Sequence, residues 1–201
     1  MAKTTCAKAL QNWEQEHPGE QPSEAEDIRL IFQNPPLDKL DPPVLNTLAK
    51  VKRLSLSSNA IEKMVNLPGL RQIEILSLSR NNIKKIAGLE EIGQTLKELW
   101  LSYNYIERLD GLQPCVKLHT LYIGNNRIKA WDEVDKLKDL PEIANVLFVG
   151  NPIYDGQKDD PKLLVLKRIN TLKNVDGTVV DDSLLEKVKA LGDGVPTTTV
   201  K

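Results

Sequence analysis

Cysteine is nearly missing from this chain: Cys6 and Cys115 are the two that it holds, which excludes a disulfide framework and fits a reducing compartment. Histidine is as scarce, with His17 and His119 far apart, so no cluster at metal-ligand spacing can be built from His and Cys. Aromatic residues reach only 4%, and the core must be filled by leucine and isoleucine within a hydrophobic fraction of 40%. Neither sign of charge dominates. Lys+Arg is 27 and Asp+Glu is 28, which lacks the basic excess of a nucleic-acid binder. No apolar run approaches the roughly 18 residues of a membrane span, and the N-terminus has no apolar core of a signal peptide. No N-x-S/T sequon occurs. These features lead us to expect a cytoplasmic protein. Glycine-rich phosphate loops and G-x-S-x-G are absent too, and an enzyme is not expected. Asp159-Asp160 and Asp181-Asp182 each precede a helical pattern and read as helix caps.

What the chain does have is one line written five times. The pattern L-x-x-L-x-L-x-x-N-x-I recurs at Val51 to Ile61, Ile73 to Ile83, Leu96 to Ile106, Leu118 to Ile128 and Ile143 to Ile153. Its asparagines, Asn59, Asn81, Asn104, Asn126 and Asn151, are 22, 23, 22 and 25 residues apart. A fixed period of this length with this consensus identifies leucine-rich repeats. The expected fold is an α/β solenoid with a parallel sheet on the concave face and helical caps at both ends. Side chains alternate along a strand, so Leu99 and Leu101 enter the core while Glu98, Trp100 and Ser102 face outward. The asparagines should form a ladder that satisfies the buried backbone of each turn.

The flanks read as caps. Cys6, Leu10 and Trp13 form one stripe of an N-terminal helix that closes the stack. Ser23-x-x-Glu26 has the form of a capping box and predicts a second helix ended by Asn34-Pro35-Pro36. The stretch from Leu30 to Leu37 resembles a decayed repeat with Pro35 near the asparagine position. Asp160-Pro161 predicts another helix start. Ser183-x-x-Glu186 predicts a last helix over 184–191, stopped by Gly192, with a mobile tail over 193–201. The domains are therefore drawn at 1–36, an N-terminal helical cap; 37–155, the repeats; 156–177, a C-terminal repeat cap; and 178–201, a helix and tail.

The outward strand positions carry the functional reading. Trp100, Tyr122 and Leu147 occupy one row on adjacent strands, with Val149 beside Leu147. Strands lie about 4.8 Å apart, so these side chains touch, and such an exposed apolar group marks a protein-binding face. Ile75 and Ser102 lie alongside it, and Glu98 and Arg53 supply charged rims. The polar side of the last helix, with Glu186, Lys187 and Lys189, is a second candidate surface.

Several stretches resemble a known family. They include Leu54-Ser55-Leu56-Ser57-Ser58-Asn59, Ile75-Leu76-Ser77-Leu78-Ser79-Arg80-Asn81-Asn82-Ile83-Lys84, Leu96-Lys97-Glu98-Leu99-Trp100-Leu101-Ser102-Tyr103-Asn104, Val149-Gly150-Asn151-Pro152 and Leu172-Lys173-Asn174-Val175-Asp176-Gly177. The short repeat is similar to that of phosphatase-1 regulatory repeat proteins, and more specifically to the leucine-rich-repeat light chains of axonemal outer-arm dynein. That resemblance implies a non-catalytic subunit of the ciliary motor, resident in the axoneme and monomeric when free. It implies binding to a dynein heavy chain near the microtubule-binding stalk tip, with tubulin as a further partner and no cofactor, nucleic acid or membrane. The other function implied is a repeat adaptor that regulates an enzyme such as a phosphatase.

Overall fold

The computed structural model describes residues 3–191; the predicted stop at Gly192 and the tail over 193–201 lie outside them. Each repeat contributes one short strand. These are β2 (Arg53–Ser55), β3 (Ile75–Ser77), β4 (Glu98–Trp100), β5 (Thr120–Tyr122) and β6 (Asn145–Leu147), all parallel and in sequence order. Leu54, Leu76, Leu99, Leu121 and Val146 are in register and buried. The apolar residues spaced by three in each return, such as Ile61, Met64, Leu67 and Leu70, close the opposite side of the same core. Fully burying one such side chain is worth about 2 kcal/mol, and a single coil has too few to stand alone.

The asparagine ladder forms as expected. Asn81 Oδ1 accepts from the Ile61 N–H of the preceding coil at 2.9 Å, and its Nδ2 donates to Leu56 O and Leu78 O at 3.0 Å each. Asn104, Asn126 and Asn151 repeat these bonds one coil further on. The residue before each ladder asparagine is left-handed: Ser58 (φ 56°), Arg80 (56°), Tyr103 (60°), Asn125 (54°) and Gly150 (81°). Non-glycine residues rarely adopt this conformation, at a cost of roughly 1–2 kcal/mol each. The ladder bonds on the next residue hold it.

The N-terminal cap differs from the predicted pair of helices. The first helix, α1 (Cys6–Glu16), is present, with Cys6, Leu10 and Trp13 buried and Thr5 as N-cap. The second is not. Residues 22–24 form a turn, and Asp27–Arg29 is a strand, β1, paired to β2 with Ile28 opposite Leu54. Ile28 and Leu30 alternate inward, and pairing with the open edge of β2 outweighs the local capping box. The decayed repeat is real but carries two extra residues. Phe32, at φ 49°, takes the left-handed place and Gln33 follows it, while the Leu37 N–H, two residues beyond Pro35, makes the ladder bond to Asn59 Oδ1 at 3.1 Å as Ile61 does to Asn81. The backbone N–H of Gln33 donates to Asn59 Oδ1 at 3.3 Å. A short helix, α2 (Pro42–Leu45), completes this coil, and α1 packs against it.

The fourth return carries α3 (Trp131–Asp135), which runs on as a 3₁₀ turn over Lys136–Asp139. At the C-terminal end, α4 (Pro161–Arg168) starts at Asp160, whose carboxylate accepts from the Lys162 N–H at 3.0 Å. The segment after it adds β7 (Asn174–Val175) parallel to β6, then turns back as β8 (Thr178–Val179). The turn residues Asp176 (φ 51°) and Gly177 (φ 78°) are both left-handed, the signature of a tight Asp-Gly hairpin that the strand pattern alone did not disclose. The last helix, α5 (Asp182–Ala190), begins two residues earlier than predicted. Asp181, not Ser183, caps it by accepting from the Leu184 N–H at 2.8 Å, because an acceptor one residue before the first turn reaches that donor. It packs on α4 and leaves the sheet face open. No helix of the described residues is long and apolar enough to cross a membrane.

Candidate partner-binding face

The register brings the predicted row together. Ser77 pairs with Trp100, Trp100 with Tyr122 and Tyr122 with Leu147 across neighbouring strands. The Trp100 and Tyr122 ring centroids lie 5.7 Å apart, tilted by 34°. Tyr122 and Val149 are 36% and 48% exposed, while Trp100 and Leu147 are half-buried against them. An apolar face of this kind loses water on binding and is stabilised by that loss.

Three devices hold it. The indole Nε1 of Trp100 donates to a Glu98 carboxylate oxygen at 3.0 Å, which fixes the ring and satisfies its polar atom. Gly124 leaves room for Leu147 and the backbone beyond it: a Cβ there would stand 2.9 Å from the Val149 carbonyl oxygen and 3.4 Å from the Leu147 side chain. At the far edge, Asp176 stands in for the coil that is missing. Its Oδ1 accepts from the Phe148 and Val149 N–H groups at 2.6 and 3.0 Å, and its Oδ2 accepts from the Tyr154 hydroxyl at 2.6 Å. Burial first, and then the Asp176 carboxylate, push the Tyr154 phenol well above its ordinary range. Asp176 and Gly124 were not singled out from the sequence. The Asp-Gly dipeptide was the visible signal for the first; the second has none short of its packed neighbours.

The remaining predicted site residues divide. Ile75 is half-buried and shares with Trp100 a groove of about 600 Å³ on the sheet face, lined also by Arg53, Ser55, Ser57 and Ser79. Ser102 does not present itself to solvent; it is 8% exposed, and its buried hydroxyl has no protein partner. Glu98 is engaged by Trp100 rather than standing as a free rim. Arg53 lies on β2, two strands from Trp100, and bonds Asp27 at 3.0 Å. Arg29, first, and Arg53 hold the Asp27 carboxyl below the usual range. The face thus has an apolar half over β4–β6 and a hydroxyl-and-arginine half over β2 and β3.

The two thiols are far from reactive. Cys6 and Cys115 are both buried, and burial pushes the Cys115 thiol from 9.0 up to about 12. Because the folded value lies above the unfolded one, the stability it contributes is complete below about pH 9 and is lost as pH rises toward 12. We expect a thiol-titrating disulfide reagent at pH 8 to find no reactive group in the native chain and two after unfolding in urea. Urea midpoints should also fall above pH 9, and Cys115→Ala should flatten that fall. One native thiol reacting at the rate of free cysteine would contradict the burial. Among the described residues, no group of three or more His, Cys, Asp or Glu is placed to hold a metal ion.

Comparison with known proteins adds to this geometry. A family model, Leucine Rich repeats (2 copies), matches residues 94–144. Dynein axonemal light chain 1 of Rattus norvegicus is 49% identical over 183 residues, covering 90% of this chain and 95% of the relative. Dynein axonemal light chain 1 of Chlamydomonas reinhardtii is 41% identical over 186 residues, covering 90% and 93%. Among solved structures, the Drosophila melanogaster SNF/U2A' complex contains a chain with TM-score 0.64 at 19% identity, covering 79% of this chain and 94% of that one, a likeness of fold alone.

Proposed function

The chain belongs to the dynein axonemal light chain 1 family of leucine-rich-repeat proteins, and from that premise we propose that it is a non-catalytic light chain of axonemal outer-arm dynein. In this reading the sheet face binds a dynein heavy chain near its microtubule-binding stalk tip and modulates how the motor engages the microtubule. The protein works in the axoneme, within the cytoskeleton of the cilium. The observation that carries the reading is the joined row of Trp100, Tyr122 and Leu147, with Val149 beside it, at least partly exposed on a continuous parallel sheet. A rigid face loses little conformational freedom on docking, so its apolar contacts convert more fully into affinity. The contact is assigned to Trp100, Tyr122, Leu147 and Val149, with Ile75 at the border and Glu98 and Ser102 supporting them from below. Arg53 meets the partner only if the partner extends across β2.

The test is made on axonemes. A tagged chain expressed in ciliated cells should be retained in the outer-arm extract and co-precipitate a dynein heavy chain. Crosslinks from Lys97, next to Glu98, should map to the stalk-tip segment. Recovery of a phosphatase catalytic subunit without any heavy chain would overturn the proposal.

A further inference from the structure

The turn edge of the solenoid, where every strand ends, carries a charge that the near-neutral composition conceals. The left-handed residue of one coil is Arg80 and that of the next is Tyr103; one position beyond the ladder asparagines stand Tyr105 and Arg127. Equivalent places are aligned by the backbone, with the Tyr105 N–H donating to Ile83 O and the Arg127 N–H to Ile106 O, each at 2.8 Å. The Arg80 guanidinium lies 4.2 Å from the Tyr103 ring centroid, and that of Arg127 lies 4.5 Å from that of Tyr105. Tyr103 is 48% exposed and Tyr105 40%. Lys84, Lys85 and Lys129 extend the same edge, all exposed. Among the described residues none of these five cations forms an ion pair. Three carboxylates, Glu62, Glu107 and Asp155, hold equivalent places in the repeat, and with Lys63 beside the five cations the edge remains basic.

We propose that this edge is a second binding surface, separate from the sheet face, and that its occupant is an acidic polypeptide segment rich in Glu or Asp. Charge complementarity supplies the attraction, and geometry supplies the selectivity. Each arginine is already laid on a tyrosine, so its long side chain has less freedom to lose when its fork meets a carboxylate. The guanidinium donors remain open to a bidentate pair, and the tyrosine hydroxyls can donate beside them. One face of each ring is covered by its guanidinium, which leaves half a stacking platform for a nucleic-acid base but the full set of donors for carboxylates. Adjacent coils lie about 4.8 Å apart, so the three coils involved present donors along about 10 Å, which three residues of extended peptide span.

The test uses a fluorescein-labelled decaglutamate peptide and fluorescence anisotropy with the full chain in 50 mM salt. We expect saturable binding that weakens as salt rises. Arg80→Ala with Arg127→Ala should weaken it at least tenfold. Tyr103→Ala with Tyr105→Ala should weaken it at least threefold at unchanged net charge. Lys187→Glu with Lys189→Glu, an equal or larger charge change on α5, and Trp100→Ala on the sheet face should leave it within twofold. All these side chains are at least partly exposed, and circular dichroism melts verify that each variant is folded. No saturable binding, an equal loss in the α5 control, or tighter binding of a labelled oligothymidylate of the same length would each overturn the proposal. Because Trp100→Ala is silent here, failure of this surface leaves the heavy-chain reading standing, and the reverse also holds.

Discussion

Asn104→Ala should destabilise the chain by about 3 kcal/mol, measured as a shift in urea unfolding. The asparagine is 5% exposed and makes three bonds across two coils: its Oδ1 accepts from the Ile83 N–H at 2.9 Å, and its Nδ2 donates to Leu78 O and Leu101 O at 3.0 Å each. The losses are unequal. Leu78 O keeps a bond from Asn81, and Leu101 O keeps one from Asn126. The Ile83 N–H keeps nothing, and a buried donor without a partner costs about 1–3 kcal/mol by itself. The two forfeited bonds and the small void add the rest. Asn59→Ala should cost less, since Asn59 is itself only half-buried, unlike Asn104. If Asn104→Ala unfolds within 1 kcal/mol of wild type, the ladder does not hold the turns as described.

Trp100→Ala should weaken binding to a recombinant heavy-chain stalk-tip segment by about 2 kcal/mol, roughly thirtyfold in Kd, while the chain keeps its fold. The indole is half-buried and is the largest side chain of the outward row, so truncation opens a gap that the partner cannot fill. Its loss also frees the Glu98 carboxylate, now bonded to Nε1 at 3.0 Å, to stand unpaired beneath the interface. Trp100→Phe separates the two contributions: it keeps most of the apolar area and loses only the hydrogen bond, so an intermediate effect is expected. Val179→Ala, exposed on β8 at the end of the sheet, serves as the silent control. Calorimetric titration of the three variants decides the matter. Wild-type affinity in a folded Trp100→Ala chain would remove the row from the interface.

The repeat core was legible in the residues because its signal is periodic and each letter has one physical duty. The five strands, the buried leucines and the ladder all stand where the consensus puts them, and the register that joins Trp100 to Tyr122 and Leu147 follows from that spacing. The ends were harder, and for one reason. At Ser23-x-x-Glu26 a local helix signal competed with the open edge of β2, and the edge prevailed through contacts with residues 26 positions away in sequence. Likewise Asp176 reads as one residue of a turn, yet it replaces an absent coil by bonding Phe148 and Val149. Ser102 follows the outward parity of its strand but is covered by its neighbours, which parity cannot reveal. The basic turn edge escaped notice because its members are scattered along the chain and gather only when coils stack.

Every ladder bond between coils points the same way along the chain. Asn59, Asn81, Asn104, Asn126 and Asn151 each reach back to a coil of lower residue number, for an N–H donor and for a carbonyl acceptor alike. A chain leaving the ribosome meets its partners in that order. Each new asparagine emerges to find its contacts already made, and none has to wait for residues not yet translated. Growth of the stack can therefore keep pace with synthesis, with the Asp176 turn arriving last to seal the edge that would otherwise stay open.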